Sequence, residues 1–277
     1  MWLAYGAVQD GPLSHSRRKF TLPTGYLPMF KHLCVLAAVA AATAPACALG
    51  TGDLAFTSFN ADEDGFSMVT FVDIAAGTKV FFTDNEFVAG AFNSGESYSS
   101  WTSGTAQVSA GTVIRFSQVD AATLSASVGT LVRETVTGSA NWGLSTAADT
   151  VYAYLGSTAT APTTFLAAIT NSSFNAADGA LAGTGLVEGT TAMRLRTTGS
   201  PDYGVYSGAR NGLASIAGYK PWVANVANWT VDTTDGTYTT TVPDTTAFTT
   251  TAVPEIESYV LMLAGLAGLA SVARRRA

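Results

Sequence analysis

The chain holds two cysteines and two histidines, Cys34, Cys47, His15 and His32, and all four fall within the first 47 residues. From Leu49 to the end there is neither residue type. Disulfides are therefore excluded from that part of the chain, and so are zinc sites built from Cys or His. Ser-His-Asp and Cys-His nucleophilic catalysis are excluded too, because both need an imidazole base. Carboxylates, hydroxyls, a few cations and the backbone remain to do chemistry.

The carboxylates gather in two turns. Asn60-Ala61-Asp62-Glu63-Asp64 is closed by Gly65, and Asp84-Asn85-Glu86 is a second acidic turn. Oxygen-rich loops suit Ca2+, which takes six to eight oxygen ligands, so Asp62, Asp64, Asp84 and Glu86 form a candidate calcium set. Neither turn has EF-hand spacing, and solvated hairpin turns explain the same residues. A glycosidase pair drawn from these acids would need two facing carboxyl groups roughly 5 to 9.5 Å apart. Trp101, Trp142, Trp222 and Trp229 fall in or near expected loops, where their flat apolar faces suit either sugar stacking or corner packing. Tyr203, Tyr206 and Tyr219, near Arg210, read as an exposed aromatic surface or as packing. The sequence contains no P-loop and no dinucleotide fingerprint.

The frame for these residues is written in composition. The chain has 277 residues, 47% of them hydrophobic and only 12% charged. Thr occurs 39 times and Gly 27 times, which favours strands and turns over helices. From Leu49 to Val253 there are 17 acidic and 7 basic residues, a net of −10, the reverse of a nucleic-acid binder. Strands are expected at Leu54–Phe59, Phe66–Asp73, Lys79–Thr83, Val113–Ser117, Gly129–Val136, Thr150–Leu155, Thr164–Ile169, Ala192–Thr197 and Trp229–Val231. Met193 and Leu195 alternate with Arg194 and Arg196, one buried face against one wet face. Phe66 to Val72 is apolar on both faces and belongs in the middle of a sheet. Ile74-Ala75-Ala76-Gly77-Thr78-Lys79-Val80 and Val108-Ser109-Ala110-Gly111-Thr112-Val113-Ile114 echo each other, each turning on its glycine into a strand. With no sustained 3.6 period, the expected class is all-β, a sandwich over residues 49–229.

Both ends of the chain carry other signals. Residues 29–48 offer Lys31, a 12-residue apolar stretch from Leu33 to Ala44, and Ala46-Cys47-Ala48 as an A-x-A cleavage site. This order predicts a secretory signal peptide cut after Ala48 by signal peptidase. Residues 1–28 then read as an over-extended start, with Met29 the initiator. Ser16-Arg17-Arg18-Lys19-Phe20 also offers a twin-arginine leader, although Pro23 and Pro28 separate it from the apolar run. A lipoprotein cut at Cys47 lacks the leucine such sites carry. Thr230 to Ala252 holds 12 threonines in 23 residues, read as a final strand followed by an extended tether, or as a glycosylated stalk.

The last 25 residues have three parts: Val253-Pro254-Glu255, an uncharged apolar run from Tyr259 to Ala273, and Arg274-Arg275-Arg276. Fifteen helical residues span about 22 Å, short of the roughly 30 Å hydrocarbon core but workable if the arginines snorkel. This segment resembles the PEP-CTERM sorting signal of Gram-negative bacteria, also known as the ice-binding-protein C-terminal domain. The matching residues are Pro254 and Glu255, Glu257-Ser258-Tyr259, Leu263-Ala264-Gly265-Leu266 and Ala273-Arg274-Arg275-Arg276; Ile256 stands where the motif has proline. The resemblance implies export, transient inner-membrane anchoring by a helix over 259–273, cleavage near Pro254 by an exosortase, and delivery to the cell surface or matrix. A plain C-terminal anchor explains the apolar run alone.

The central phrases Phe82-Thr83-Asp84-Asn85, Ala110-Gly111-Thr112-Val113 and Ala148-Asp149-Thr150-Val151-Tyr152 are similar to those of lamin-tail-like, immunoglobulin-type sandwiches of secreted bacterial proteins. That resemblance runs from Gly52 to about Ser173 and implies binding or spacing, not catalysis. The expected role is a non-enzymatic binding or structural module, associated with exopolysaccharide, needing no cofactor beyond a candidate Ca2+. The alternative is a secreted, carboxylate-dependent, glycosidase-like hydrolase.

Overall fold

A computed structural model of the protein describes residues 48–195, 199–251, 261–267 and Arg274. The leader, Ala46 and Cys47, the Val253-Pro254-Glu255 motif, Arg196, Arg275 and Arg276, and most of the expected 259–273 helix lie outside the described residues. Ala48 is exposed at the start of the described chain.

The strands are β1 (Leu54–Asn60), β2 (Gly65–Thr70) and β3 (Lys79–Thr83), then a small hairpin of β4 (Phe87–Val88) and β5 (Ala91–Phe92). Next come β6 (Tyr98–Thr102), β7 (Val113–Ser117), β8 (Ser125–Ala126) and β9 (Thr130–Arg133). The long pair β10 (Thr150–Thr158) and β11 (Ala161–Thr170) precedes β12 (Ala192–Arg194), β13 (Tyr203–Tyr206) and β14 (Trp229–Asp232). Two six-stranded sheets result, ordered β14-β13-β1-β2-β7-β8 and β12-β11-β10-β3-β6-β9. Among these strands pairing is antiparallel except between β11 and β12. The class is the all-β sandwich expected from the Thr- and Gly-rich, strand-patterned sequence.

The sheets meet through aromatic rings contributed by both. Phe66 of β2 and Phe116 of β7 face Phe82 of β3 at 5.1 and 4.9 Å, and Trp101 of β6 stands edge-on to Phe116 at 6.1 Å. Strand β2 lies between β1 and β7 with all six residues buried, as its two apolar faces require. A second core sits on the outer face of the other sheet. In β3 and β10, Phe82, Val151 and Ala153 point inward while Phe81, Tyr152 and Tyr154 point outward, because successive strand side chains alternate. The β4–β5 hairpin roofs that outer face, with Phe87 4.9 Å from Phe165 and Phe92 5.2 Å from Tyr154.

The two echoing phrases pair with each other. Ile74 and Val108 form an antiparallel bridge, and Gly77 and Gly111 each take a left-handed φ, 73° and 88°, to turn into β3 and β7.

Where a tether was expected, the chain stays on the sandwich through Thr251. Phe248 is buried among Tyr206, Tyr219 and Trp229 in the main core. The backbone amides of Phe248, Thr249 and Thr251 donate to the carbonyls of Gly111, Arg210 and Leu213. Arg210 donates from its guanidinium to the Thr246 and Asp244 carbonyls at 2.9 and 3.0 Å, and its Nε lies 3.1 Å from the Asp244 carboxylate. Threonine's low apolar content concealed this docking; one buried phenylalanine and one arginine are the side chains that carry its 244–251 end.

Candidate functional site

The four acids of the candidate calcium set do not converge on one ion. Asp62 accepts the amides of Gly236 and Tyr238 at 2.9 and 2.8 Å and so anchors the Thr-rich segment. Asp64, at φ 55°, accepts the Leu144 amide at 2.5 Å, and burial pushes its carboxyl up to about 6. Between them Glu63 pairs with Arg115 at 2.5 Å. Asp84 is buried at the end of β3, where Oδ1 accepts both the amide and the hydroxyl of Ser97 at 3.0 Å. Glu86 accepts from the Asn93 amide group across the β4–β5 hairpin. Among the described residues, the acids whose carboxylate oxygens lie within 4.8 Å of one another are Asp62, Asp202 and Asp235.

Of the two readings of Tyr203, Tyr206 and Tyr219, packing is the one observed, and these rings are interior. All three tyrosines and Arg210 are buried, since the 233–251 segment covers them. Tyr206 donates to the Ala209 carbonyl and Tyr219 to the Thr249 carbonyl, both at 2.9 Å. Of the tryptophans, Trp101 and Trp229 are core residues whose indoles donate to the Val128 and Val223 carbonyls. Trp142 and Trp222 are each 42% exposed, and the Arg133 guanidinium lies 4.1 Å over the Trp142 ring.

A buried acidic group, of which only Asp84 belongs to the candidate calcium set, sits where the end of β3 lies beside the start of β10. Thr83 pairs with Tyr152, so Asp84, just after β3, and Asp149, just before β10, fall near each other. Glu96 approaches from the strand-leading loop before β6. Asp149 accepts the Ser145 amide at 2.9 Å, and its own amide donates to Asn171, which in turn donates to the Ser145 carbonyl. The Glu96 Oε2 atom is buried without a hydrogen bond. Burial, reinforced by Glu86, raises Asp84 to about 7. Burial, then the charges of Asp84 and Glu86, raises Glu96 to about 8. Burial and Asp84 hold Asp149 well above the ordinary carboxylate range. Carboxyl groups raised in this way hold their protons to higher pH than ordinary acids, which is the direction a general acid needs. For Asp84 and Asp149 a sequence signal is an Asp beside the end of a largely apolar strand; Glu96 carries none.

The space beside Asp84 is small. A cavity of about 20 Å3, walled by Phe66, Phe82, Val119, Leu144 and Val151, has room for a single water. A far larger open groove, about 420 Å3, runs beside β12 and is lined by Glu188, Met193, Arg194, Pro221, Asn225 and Val226. Its Arg194 lies 3.7 Å from Glu188. Comparison with protein-family models, with curated proteins and with solved structures found no match.

Proposed function

We propose that the chain is exported from the cytoplasm of a Gram-negative bacterium after signal-peptidase cleavage at Ala48, and is held transiently in the inner membrane by its C-terminal segment. An exosortase then releases it near Pro254 to the cell surface or matrix, where the sandwich acts as a non-enzymatic binding or structural module. One observation carries this reading. Residues 261–267 are helical, and Leu261, Met262, Leu263 and Leu266 are all exposed. Four large apolar side chains without protein cover call for a nonaqueous partner, and the charge-free run ending in Arg274–Arg276 suits lipid. Among the described residues no helix is long and apolar enough to cross a membrane, and the segment's short length suits a temporary anchor.

The finer fold reading belongs to the same proposal: a lamin-tail-like, immunoglobulin-type sandwich, supported by the three phrases quoted above. Exopolysaccharide is the partner class. The groove beside β12 supports it, since Glu188, Arg194 and Asn225 offer donors and acceptors for sugar hydroxyls. The hydrolase reading draws on Asp84 and Glu96, whose carboxyls burial pushes up, yet the space beside Asp84 takes a water and not a sugar ring.

Replacing Glu255 by Gln tests the sorting. Insertion should persist and release should fail, leaving full-length protein in the membrane fraction. Mature protein of the same mass from both forms would overturn the reading. Replacing Arg274, Arg275 and Arg276 by Ala should misorient the tail, because each arginine costs roughly 2.5 to 3.5 kcal/mol to carry into hydrocarbon. A glycan-array screen tests the module, and release of reducing sugar from a bound glycan would favour the hydrolase.

A further inference from the structure

The β4–β5 hairpin is a small roof on a large aromatic face. Each of its strands has two residues, and Ala89 and Gly90 turn between them at φ 53° and 91°. A hairpin this short has little stability of its own in water, so it stays down only where it docks. Phe87 and Phe92 supply the docking. Phe87 reaches Phe165 at 4.9 Å and Tyr152 at 6.4 Å, and Phe92 reaches Tyr154 at 5.2 Å and Tyr152 at 5.7 Å. Outside the rings, the Ala180 amide donates to the Phe87 carbonyl at 3.0 Å.

Both stems of the hairpin pass through the buried acids. Thr83 is in register with Tyr98 of β6 on one side and Tyr152 of β10 on the other, so Asp84 stands between the returning stem and the start of β10. Asp84 clamps that stem through the Ser97 amide and hydroxyl, and Asn85 accepts the Glu96 amide at 3.2 Å. The charge of Asp84 acts against Glu96, and both act against Asp149. Glu86, on the outgoing stem, adds to the repulsion, and Tyr98 faces Asp84 from β6. Arg133 is the cation within reach of Asp84, but its guanidinium donates to the Val119 and Ala121 carbonyls and covers Trp142. Among the described residues no lysine or arginine pairs with Asp84, Glu96 or Asp149, and Glu96 Oε2 is buried without a hydrogen bond. Like charges in a buried site without a cation cannot all ionise while the stems stay together.

We propose that Asp84, Glu96 and Asp149 form a pH-sensitive latch for the β4–β5 hairpin. Protonated, they let the two stems lie together and the roof stays down. Ionised, they drive the stems apart, and the hairpin lifts from Tyr152, Tyr154 and Phe165. Opening returns the carboxyls to water, where they release protons more readily, so rising pH favours the open form. Burial, the largest influence on both, raises Asp84 to about 7 and Glu96 to about 8, which places the change near pH 7 to 8. This inference stands apart from the export reading, since it uses only side chains of the sandwich.

Hydrogen exchange of the full chain between pH 6 and pH 8.5, with rates corrected for the intrinsic effect of pH, tests the latch. Protection of the Asn93 and Ala180 amides should fall by up to about tenfold per pH unit for each proton released on opening, while the β2 amides stay protected. Binding of the dye 8-anilinonaphthalene-1-sulfonate should rise over the same range, as rings are uncovered. Asp84→Asn combined with Glu96→Gln should remove most of both changes. Glu96→Gln alone, at a half-buried side chain, should weaken them and keeps the test decisive if the double variant folds poorly. Constant protection at Asn93 and Ala180 across the range would overturn the latch. An equal loss in β2 would overturn it too, by making the effect global unfolding, as would the same loss in Glu96→Gln as in the parent.

Discussion

Gly111 accepts the Phe248 amide at 2.8 Å, and a Cβ on this glycine would stand 2.2 Å from the Phe248 carbonyl oxygen. The final segment can lie against the turn before β7 only because that residue has no side chain. Gly77, its counterpart in the echoing phrase, has the same left-handed φ but nothing within 4 Å of a built Cβ. The pair separates backbone strain from steric contact. Gly77→Ala should cost about 1 to 2 kcal/mol, the strain of a left-handed alanine. Gly111→Ala should cost about 3 kcal/mol or more, since strain and overlap with backbone act together. Urea midpoints of the two variants check this, and equal losses would mean that the 233–251 segment does not press on Gly111.

Phe248 is the apolar anchor of that segment. Phe248→Ala should lower stability by about 3 to 5 kcal/mol, as for a large core aromatic. It should also expose residues 233–251 to proteinase K, with mass spectrometry reporting cleavage there before the sandwich is cut. Unchanged protease resistance would show that the polar contacts of Asp62 and Arg210 and the backbone hydrogen bonds hold the segment without Phe248.

Tyr238 closes the first loop of the same segment by stacking on Tyr203 at an interplanar angle of 4° and donating its hydroxyl to Asp232 at 2.8 Å. Tyr238→Phe keeps the stack and removes the hydrogen bond. Tyr238→Ala removes both and should cost about 0.5 to 1.5 kcal/mol more than the area lost. Hydrogen exchange at the Gly236 and Tyr238 amides, which Asp62 accepts, should speed up in Tyr238→Ala and far less in Tyr238→Phe.

The buried acids give stability a pH slope of known sign. Asp84 and Glu96 rise from 3.8 and 4.5 to about 7 and about 8 on folding, and Asp149 rises with them. The folded state thus holds more protons than the unfolded chain between about pH 4 and pH 8, so stability is fully present below pH 4 and is lost as pH rises through 7 to 8. The melting temperature should fall steadily from pH 5 to pH 8. Glu96→Gln should flatten that fall and raise the melting temperature at pH 8, because it removes a charge whose Oε2 has no partner. A profile that rises with pH in this range would contradict the buried cluster.

Much of the frame was legible in the chain. Lys79–Thr83 and Val113–Ser117 have the bounds expected of short apolar strands that follow glycine turns. Trp101 was expected near a loop, yet it lies inside Tyr98–Thr102, a strand hidden by its serines. That strand is buried because it pairs with β3 on one side and β9 on the other, and Ser100 donates to Glu134. The Tyr203–Tyr206 strand is not among the expected strands, and Gly204 is there because Leu195 packs within 2.8 Å of where a Cβ would be. The calcium set read from the two turns took the acids that are neighbours in sequence, whereas the group that meets in space shares only Asp62 with it.

The sequence by itself determined the class of the domain, most of its strands and the absence of Cys and His chemistry after residue 48, because these follow from residue type and period-two alternation. Only the tertiary structure decided which carboxylates share one small volume, which tyrosines are covered, and that the Thr-rich segment is part of the domain. Asp62, Asp202 and Asp235 are brought together by the register of three neighbouring strands, and Phe248 finds its place between Gly111 and Tyr219 through contacts far apart in the chain. Local propensity carries no term for such contacts. They are set by how two sheets pack and by which loops are left to close over their ends.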